Sequence, residues 1–397
     1  MTENKLGDKS GDKLGNQAEA KALGDLELYV HIPFCVRKCK YCDFLSAPAS
    51  KQVQNAYMEA LLSELRGRAV SDRRVVSVFV GGGTPSVVDA ERICDVMETI
   101  KSHYILKEDA EISMEVNPGT VTTNSLERYR AAGVNRLSIG CQSCHDAELS
   151  HIGRIHDHQT FLDTYDRARA AGFDNINVDL MSGLPGQSLE SWEETLRIIV
   201  SLNPPPEHIS AYSLIVEEGT PFYEMWQRGE LVLPNEDMER EMYWRTADIL
   251  KGCGYEHYEI SNYARKGYQC RHNVGYWTRR DYLGFGVGAA SLYDNVRYSN
   301  TDDLTAYIGK PLKGCTQVQE LSREEQMEEE MFLGLRLSHG VSGERFRELF
   351  DVSVREVYGE QIRESVKEGL LEDNGERLVL TGKGVDLANY VMAKFLF

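Results

Sequence analysis

Six apolar, β-rich runs, at 26–32, 75–80, 111–116, 136–139, 176–180 and 208–214, recur through the first half of the chain. Helix-like segments lie between most of them. Ala56, Leu61, Leu62 and Leu65 share one helical face, Ile93, Val96, Met97 and Ile100 share another, and similar periodicity occupies 161–171 and 192–202. Such alternation builds βα units around a parallel sheet. Six units are too few to close an eight-stranded barrel. The expectation is therefore an α/β fold based on an incomplete (β/α)6 barrel, with an open doubly wound sheet as the alternative. The placement of unusual residues favours the barrel. Gly81-Gly82-Gly83-Thr84-Pro85 follows the second strand, Glu115-Val116-Asn117-Pro118 ends the third, Gln142 follows the fourth and Asp179 closes the fifth. Polar and glycine residues at the carboxyl ends of successive parallel strands mark the active face of such folds.

The pattern loosens beyond about residue 215. The expected organisation is a disordered polar tail over 1–25, the partial barrel over 26–215, an irregular α+β extension over 216–319 and a C-terminal unit over 320–397. Two short strands around Asn374-Gly375, preceded by helices, suggest a winged-helix-like module. Its helices are mixed or acidic, whereas a DNA-reading module carries a basic one. The whole chain has 44 basic against 62 acidic side chains, a net charge of −18. Nucleic acid is therefore not an expected partner. Direct membrane insertion is not expected either, since no apolar run approaches the ~20 residues of a span. The first 25 residues lack the apolar centre of a secretory signal, which makes the cytoplasm the expected location.

Of nine cysteines, three fall within eight residues: Cys35, Cys39 and Cys42, spaced C-x3-C-x2-C on the loop leaving the first strand. Soft thiolates select iron–sulfur clusters, zinc or Cu(I). A structural zinc site takes four protein ligands, and no fourth Cys or His lies at finger-like spacing. Three ligands on a cuboidal cluster leave one iron open for something exchangeable. Arg37, Lys38 and Lys40 would offset the negative charge. The other six cysteines read as incidental, including the formal C-x-x-C of Cys141 and Cys144.

With GGGTP after the second strand, the cysteine segment resembles the radical S-adenosylmethionine (SAM) superfamily. HIPFC, GGGTP, EVNP, RLSIGCQS, GRIH and NVDLMSGLPGQ, in that order, with GLLEDNGERLVLTGKG near the end, resemble its oxygen-independent coproporphyrinogen III oxidase-like branch. The resemblance implies a [4Fe-4S] cluster on Cys35, Cys39 and Cys42, with SAM chelating the fourth iron. It implies Tyr29 beside that SAM, Gly82 at its methionyl end and Glu115 on a ribose. Gln142, Arg154 and Asp179 match positions lining a second SAM site in porphyrinogen-processing relatives, with Tyr41, Gly83, Thr84 and Ser213 nearby.

Enzymes of the branch that decarboxylate coproporphyrinogen III carry a further cysteine two residues after the third, and here that position is Phe44. His272-Asn273-Val274-Gly275-Tyr276-Trp277 resembles the heme-binding signature of heme chaperones in the branch. An imidazole can ligate heme iron, and Tyr and Trp can pack on a porphyrin. The resemblance thus implies heme as cargo, held through His272, Asn273, Tyr276 and Trp277 and passed to a heme-accepting protein. The expected function is heme chaperone. The alternative is an oxygen-independent coproporphyrinogen III dehydrogenase, and a third reading is a radical enzyme on another substrate.

Overall fold

The computed structural model describes residues 23–313 and 315–397. The tail expected over 1–25 lies outside the described residues except for its last three, and Gly24 and Asp25 already belong to the first strand. Strands β1 (Gly24–Ile32), β2 (Arg73–Gly82), β3 (Ile105–Val116), β4 (Arg136–Gln142), β5 (Ile176–Ser182) and β6 (His208–Ser213) lie side by side in chain order, all parallel. Their connections carry α1 (Lys51–Gly67), α2 (Ala90–His103), α3 (Thr123–Ala131), α4 (Asp146–His151), α5 (His158–Ala170) and α6 (Leu189–Val200). The helices start where side chains cap them: Thr122 and Ser188 each accept from the third helical amide, and Ser125 and Ser191 return the bond.

Side chains along a strand alternate between faces. One row, Leu28, Val30, Ile32, Val78, Val80, Met114, Leu137, Ile139, Val178 and Leu180, is fully buried together with Leu61, Leu65, Val96 and Ile100 of the helices. The intervening row is polar or aromatic: Glu27, Tyr29 and His31 on β1, Ser77 and Phe79 on β2, Glu111, Ser113 and Glu115 on β3. It continues with Arg136 and Ser138 on β4, Asn177 and Asp179 on β5, and His208 and Ser210 on β6. These groups bond one another, as burial requires. Asn177 Nδ2 donates to Ser138 Oγ (2.7 Å) and Asp179 (2.7 Å), and Ser138 donates to the other oxygen of Asp179 at 2.9 Å.

The segment expected to be irregular instead extends this sheet at both edges. After α7 (Pro221–Gln227) and α8 (Glu236–Gly252), β7 (Glu256–Glu259) and β8 (Asn262–Ala264) join antiparallel beside β6. Helix α9 (Arg271–Trp277) then carries the chain to the opposite flank. There β9 (Tyr282–Phe285) pairs parallel with β1, and β10 (Ala290–Tyr293) and β11 (Val296–Asn300) follow. After α10 (Leu304–Gly309), β12 (Cys315–Glu320) ends a sheet of 12 strands. Helix α9 packs on the polar row: Arg271 donates its amide to Glu111 at 3.0 Å, and His272 meets Ser77 at 2.9 Å. Gly275 has no side chain because a Cβ there would run into the Glu27 carboxylate.

The C-terminal part runs α11 (Arg323–Gly334), β13 (Val341–Ser342), α12 (Gly343–Phe350), α13 (Val354–Val357), α14 (Gly359–Lys367), β14 (Leu371–Asp373), β15 (Arg377–Leu380), α15 (Gly382–Asp386) and α16 (Ala388–Ala393). Its three strands make a second sheet, in the order β13-β15-β14. Asn374-Gly375 turns the hairpin, with Gly375 at φ +90°. Met331, Phe346, Phe350, Tyr358 and Leu378 belong to an apolar cluster separate from the main one. Among the described residues no helix is long and apolar enough to cross a membrane.

Candidate functional site

The carboxyl ends of β1–β6 open on a cavity of about 470 Å³. Cys35, Cys39 and Cys42 all line it, as do Tyr41, Gly82, Gly83 and Thr84. Glu115 near the end of β3, Gln142 at the end of β4, Asp179 within β5 and Arg154, just after α4, line it too. Backbone bonds hold the cysteine loop to its neighbours. Cys35 N donates to Ala47 O (3.2 Å), Gly83 N to Ile32 O (2.8 Å) and Thr84 N to Phe34 O (2.7 Å). The contact between the GGGTP loop and the base of the cysteine loop is backbone against backbone. A Cβ on Gly83 would press into Phe34 O at 2.7 Å. Gly82 sits at φ +111°, where a Cβ would strike the His31 ring.

Two of the three thiols accept from a side-chain donor. Thr84 Oγ1 donates to Cys35 Sγ at 3.5 Å, and Arg154 Nη1 donates to Cys39 Sγ at 3.9 Å. Arg154 also bonds Asn117 Oδ1 (2.8 Å) and Gly140 O (2.6 Å), which fixes its guanidinium beside the cysteines. Of the cations expected to balance the thiolates, Arg37 and Lys38 line the cavity, while Arg37 also bonds the Gly153 and Arg154 carbonyls. Among the described residues no three His, Cys, Asp or Glu side chains converge to hold a single metal ion. Three soft thiol donors lining one cavity are the kind of set an iron–sulfur cluster takes. Burial pushes the Glu115 carboxyl up to about 8, with Asp179 adding to the rise and the Gly82 amide, 2.9 Å away, opposing it. Burial also raises Asp179.

Two expected residues stand elsewhere. Tyr29 does not line this cavity. Its hydroxyl meets His31 Nδ1 at 3.0 Å, while His31 Nε2 meets Leu45 O at 3.0 Å, so His31 occupies the strand end and Tyr29 lies beneath it. Tyr29 lines instead a second cavity, of about 370 Å³, with Tyr276, Arg279, Tyr282, Leu292, Arg297 and Leu333. The other is His272, which is 1% exposed with both ring nitrogens engaged: Nδ1 at 2.9 Å from Ser77 Oγ, Nε2 at 3.1 Å from Tyr276 Oη. Phe79 stacks on its ring, and the Glu27 carboxylate lies 3.8 Å from Nδ1. Burial drives the His272 imidazole down to about 3, with Arg136 and Arg280 adding to it. Glu27 is pushed up to about 8 by the same burial, against the pull of Arg280. Asn273 and Trp277 do not line the second cavity, and Trp277 lies under the Arg336 guanidinium at 4.3 Å.

The sequence reading left out Asn117, Ser138 and Tyr212, which also line the cysteine cavity. Asn117 sits inside the EVNP motif and Ser138 inside RLSIGCQS, so both were within reach. His31 opens the HIPFC motif and was also within reach, whereas Glu27 carried no signal, because it reads as an ordinary member of a strand.

The geometry can be set beside known proteins. Residues 29–199 match the radical SAM superfamily model, and residues 321–387 match the HemN C-terminal domain. The coproporphyrinogen III oxidase HemN of Escherichia coli, a radical SAM enzyme, superposes with a TM-score of 0.81 at 25% identity, covering 94% of this chain and 90% of that one. Fold and cavity together define a radical SAM protein of the HemN type. The chain is 38% identical over 369 residues to the heme chaperone HemW of Lactococcus lactis subsp. lactis (strain IL1403), covering 93% of this chain and 96% of the relative. For HemW of Bacillus subtilis (strain 168) the identity is 37% over 379 residues, with 93% and 98% covered. For HemW of Escherichia coli (strain K12) it is 41% over 270 residues, with 67% and 70% covered. The chain belongs to the HemW family.

Proposed function

We propose that this chain is a heme chaperone that binds heme as cargo, carries a [4Fe-4S] cluster with exchangeable SAM, and passes heme to an acceptor protein. Cys35, Cys39 and Cys42 would hold the cluster. When bound, the cluster supplies a one-electron reducing centre with an open iron for SAM. Gly82, Gly83 and Thr84 offer backbone edges to that SAM, and Glu115 accepts from ribose hydroxyls once ionised. Gln142, Arg154 and Asp179 line space for a second SAM. The HNVGYW helix, with His272, Asn273, Tyr276 and Trp277, forms the heme-binding segment. The cytoplasm suits the chain, because all nine cysteines are unpaired thiols and that compartment keeps them reduced.

The observation carrying this reading is the separation of two cavities in one fold. One holds the cysteines, with Phe44 63% exposed at its edge where a fourth thiol would stand; the other presents a tyrosine of the HNVGYW segment. Two assays on reconstituted protein test it. Hemin titration should saturate at one equivalent. Anaerobic incubation with coproporphyrinogen III, SAM and a reductant should give no protoporphyrinogen, and catalytic turnover there would establish the dehydrogenase instead.

A further inference from the structure

We propose that heme seats in the second cavity with its iron bonded to the phenolic oxygen of Tyr276, and that His272 is the buried partner of that phenol rather than the iron ligand. The inference deepens the heme-chaperone reading and rests on it. Of the four HNVGYW residues assigned to heme, Tyr276 alone lines this cavity. His272 lies behind it, its two nitrogens committed to Ser77 and Tyr276. Bringing His272 to an iron in the cavity would break both bonds, leave two interior hydroxyls unpaired and unstack Phe79. The phenol needs no such rearrangement, and tyrosine is an established axial ligand for ferric heme.

The coordination step balances within the site. The Tyr276 hydroxyl gives its proton to the hydroxide that ferric heme carries in water, as the Fe–O bond forms. That ligand leaves as water, and the iron stays ferric throughout. Neutral His272 then donates from Nε2 to the phenolate, 3.1 Å away, and accepts from Ser77 at Nδ1. Around the phenol the walls suit a porphyrin. Tyr29 and Tyr282 give aromatic surface, Leu292 and Leu333 give apolar surface, and the Tyr276–Tyr282 rings meet edge-on at 4.8 Å. Arg297 lines the cavity and is 38% exposed. One of its donors is spent on Glu329 (2.8 Å), and others remain for a heme propionate.

The test is hemin binding followed by visible and resonance Raman spectra, on wild type, Tyr276→Phe, His272→Ala and Arg297→Ala. Wild type should show a five-coordinate ferric heme with a phenolate-to-iron charge-transfer band. Y276F should lose that band and bind hemin at least tenfold more weakly. H272A should keep the band but shift the Fe–O(phenolate) vibration, because the hydrogen bond to the phenolate oxygen is gone. R297A should weaken hemin but leave hemin dimethyl ester, which lacks free propionates, unaffected. A histidine-ligated spectrum abolished by H272A and untouched by Y276F would overturn the assignment. Wild type that binds hemin no differently from Y276F also overturns it. Absence of hemin binding by wild type would refute the chaperone reading itself.

Discussion

At Gly82 two constraints meet: the backbone stands at φ +111°, and the His31 ring fills the space a Cβ would take. The glycine is therefore demanded by a packed histidine as well as by access to a ligand, and the sequence suggested only the second. Tyr29 illustrates the same limit. Side chains two apart on a strand share a face but stand about 6–7 Å apart along it, so on β1 Tyr29 stands one step further from the carboxyl end than His31. The three cysteines were legible because their spacing is chemical rather than structural. Cys39→Ser should abolish the iron–sulfur absorption of reconstituted protein and lower its bound iron, while far-UV circular dichroism stays unchanged. Glu115 allows a pH test on cluster-free protein. Folded, its carboxyl keeps its proton to about pH 8; unfolded, it ionises in the ordinary carboxylate range. Between those limits the folded chain holds a proton that the unfolded chain has released, so stability falls as pH rises and levels off above about 8. Glu27 acts in the same direction. Glu115→Gln should flatten the fall in Tm between about pH 5 and about pH 8, and an unchanged slope would show that Glu115 is ionised in the fold.

Helix α9 is the element on which the second cavity depends. It leaves one flank of the sheet after β8, crosses the polar row and delivers the chain to β9 on the other flank. Its closeness to β1 rests on Gly275, directly over Glu27. Gly275→Ala would force helix and strand apart; a loss of about 1–3 kcal/mol in denaturant unfolding is expected, together with weaker hemin binding. Preserved stability would mean that α9 can shift freely. The six parallel strands were readable from their outer faces, whose apolar residues meet the helices in regular alternation. The polar row was not, since Glu27, Glu111, Arg136 and His208 resemble solvent-facing residues until the fold buries them, with α9 packed on the row. Strands β7 to β12 were missed for another reason. They are three to six residues long, rich in tyrosine and polar side chains, and too short to establish a period.

Among the described residues the apolar core divides into a main cluster around β1–β6, a smaller one within 327–395 and a third that joins Leu149, Met181, Leu214 and Phe222. Leu333 of α11 lines the second cavity with Tyr276 and Tyr282. Phe346 is fully buried in the smaller cluster. Phe346→Ala should cost about 3–5 kcal/mol in the unfolding of that unit, while the iron–sulfur absorption, held at the far end of the strands, is retained. Loss of the cluster in this variant would mean that the two cores unfold as one. The central claim is that heme is cargo, bound to be released. Its most direct test is to load the protein with one equivalent of ferric heme, add apomyoglobin as a recipient and follow the spectra. The account predicts stoichiometric loading followed by complete transfer, with the chaperone recovered heme-free and able to load again. Heme that fails to bind at one equivalent, or that stays with the chain in the presence of excess apomyoglobin, would contradict it.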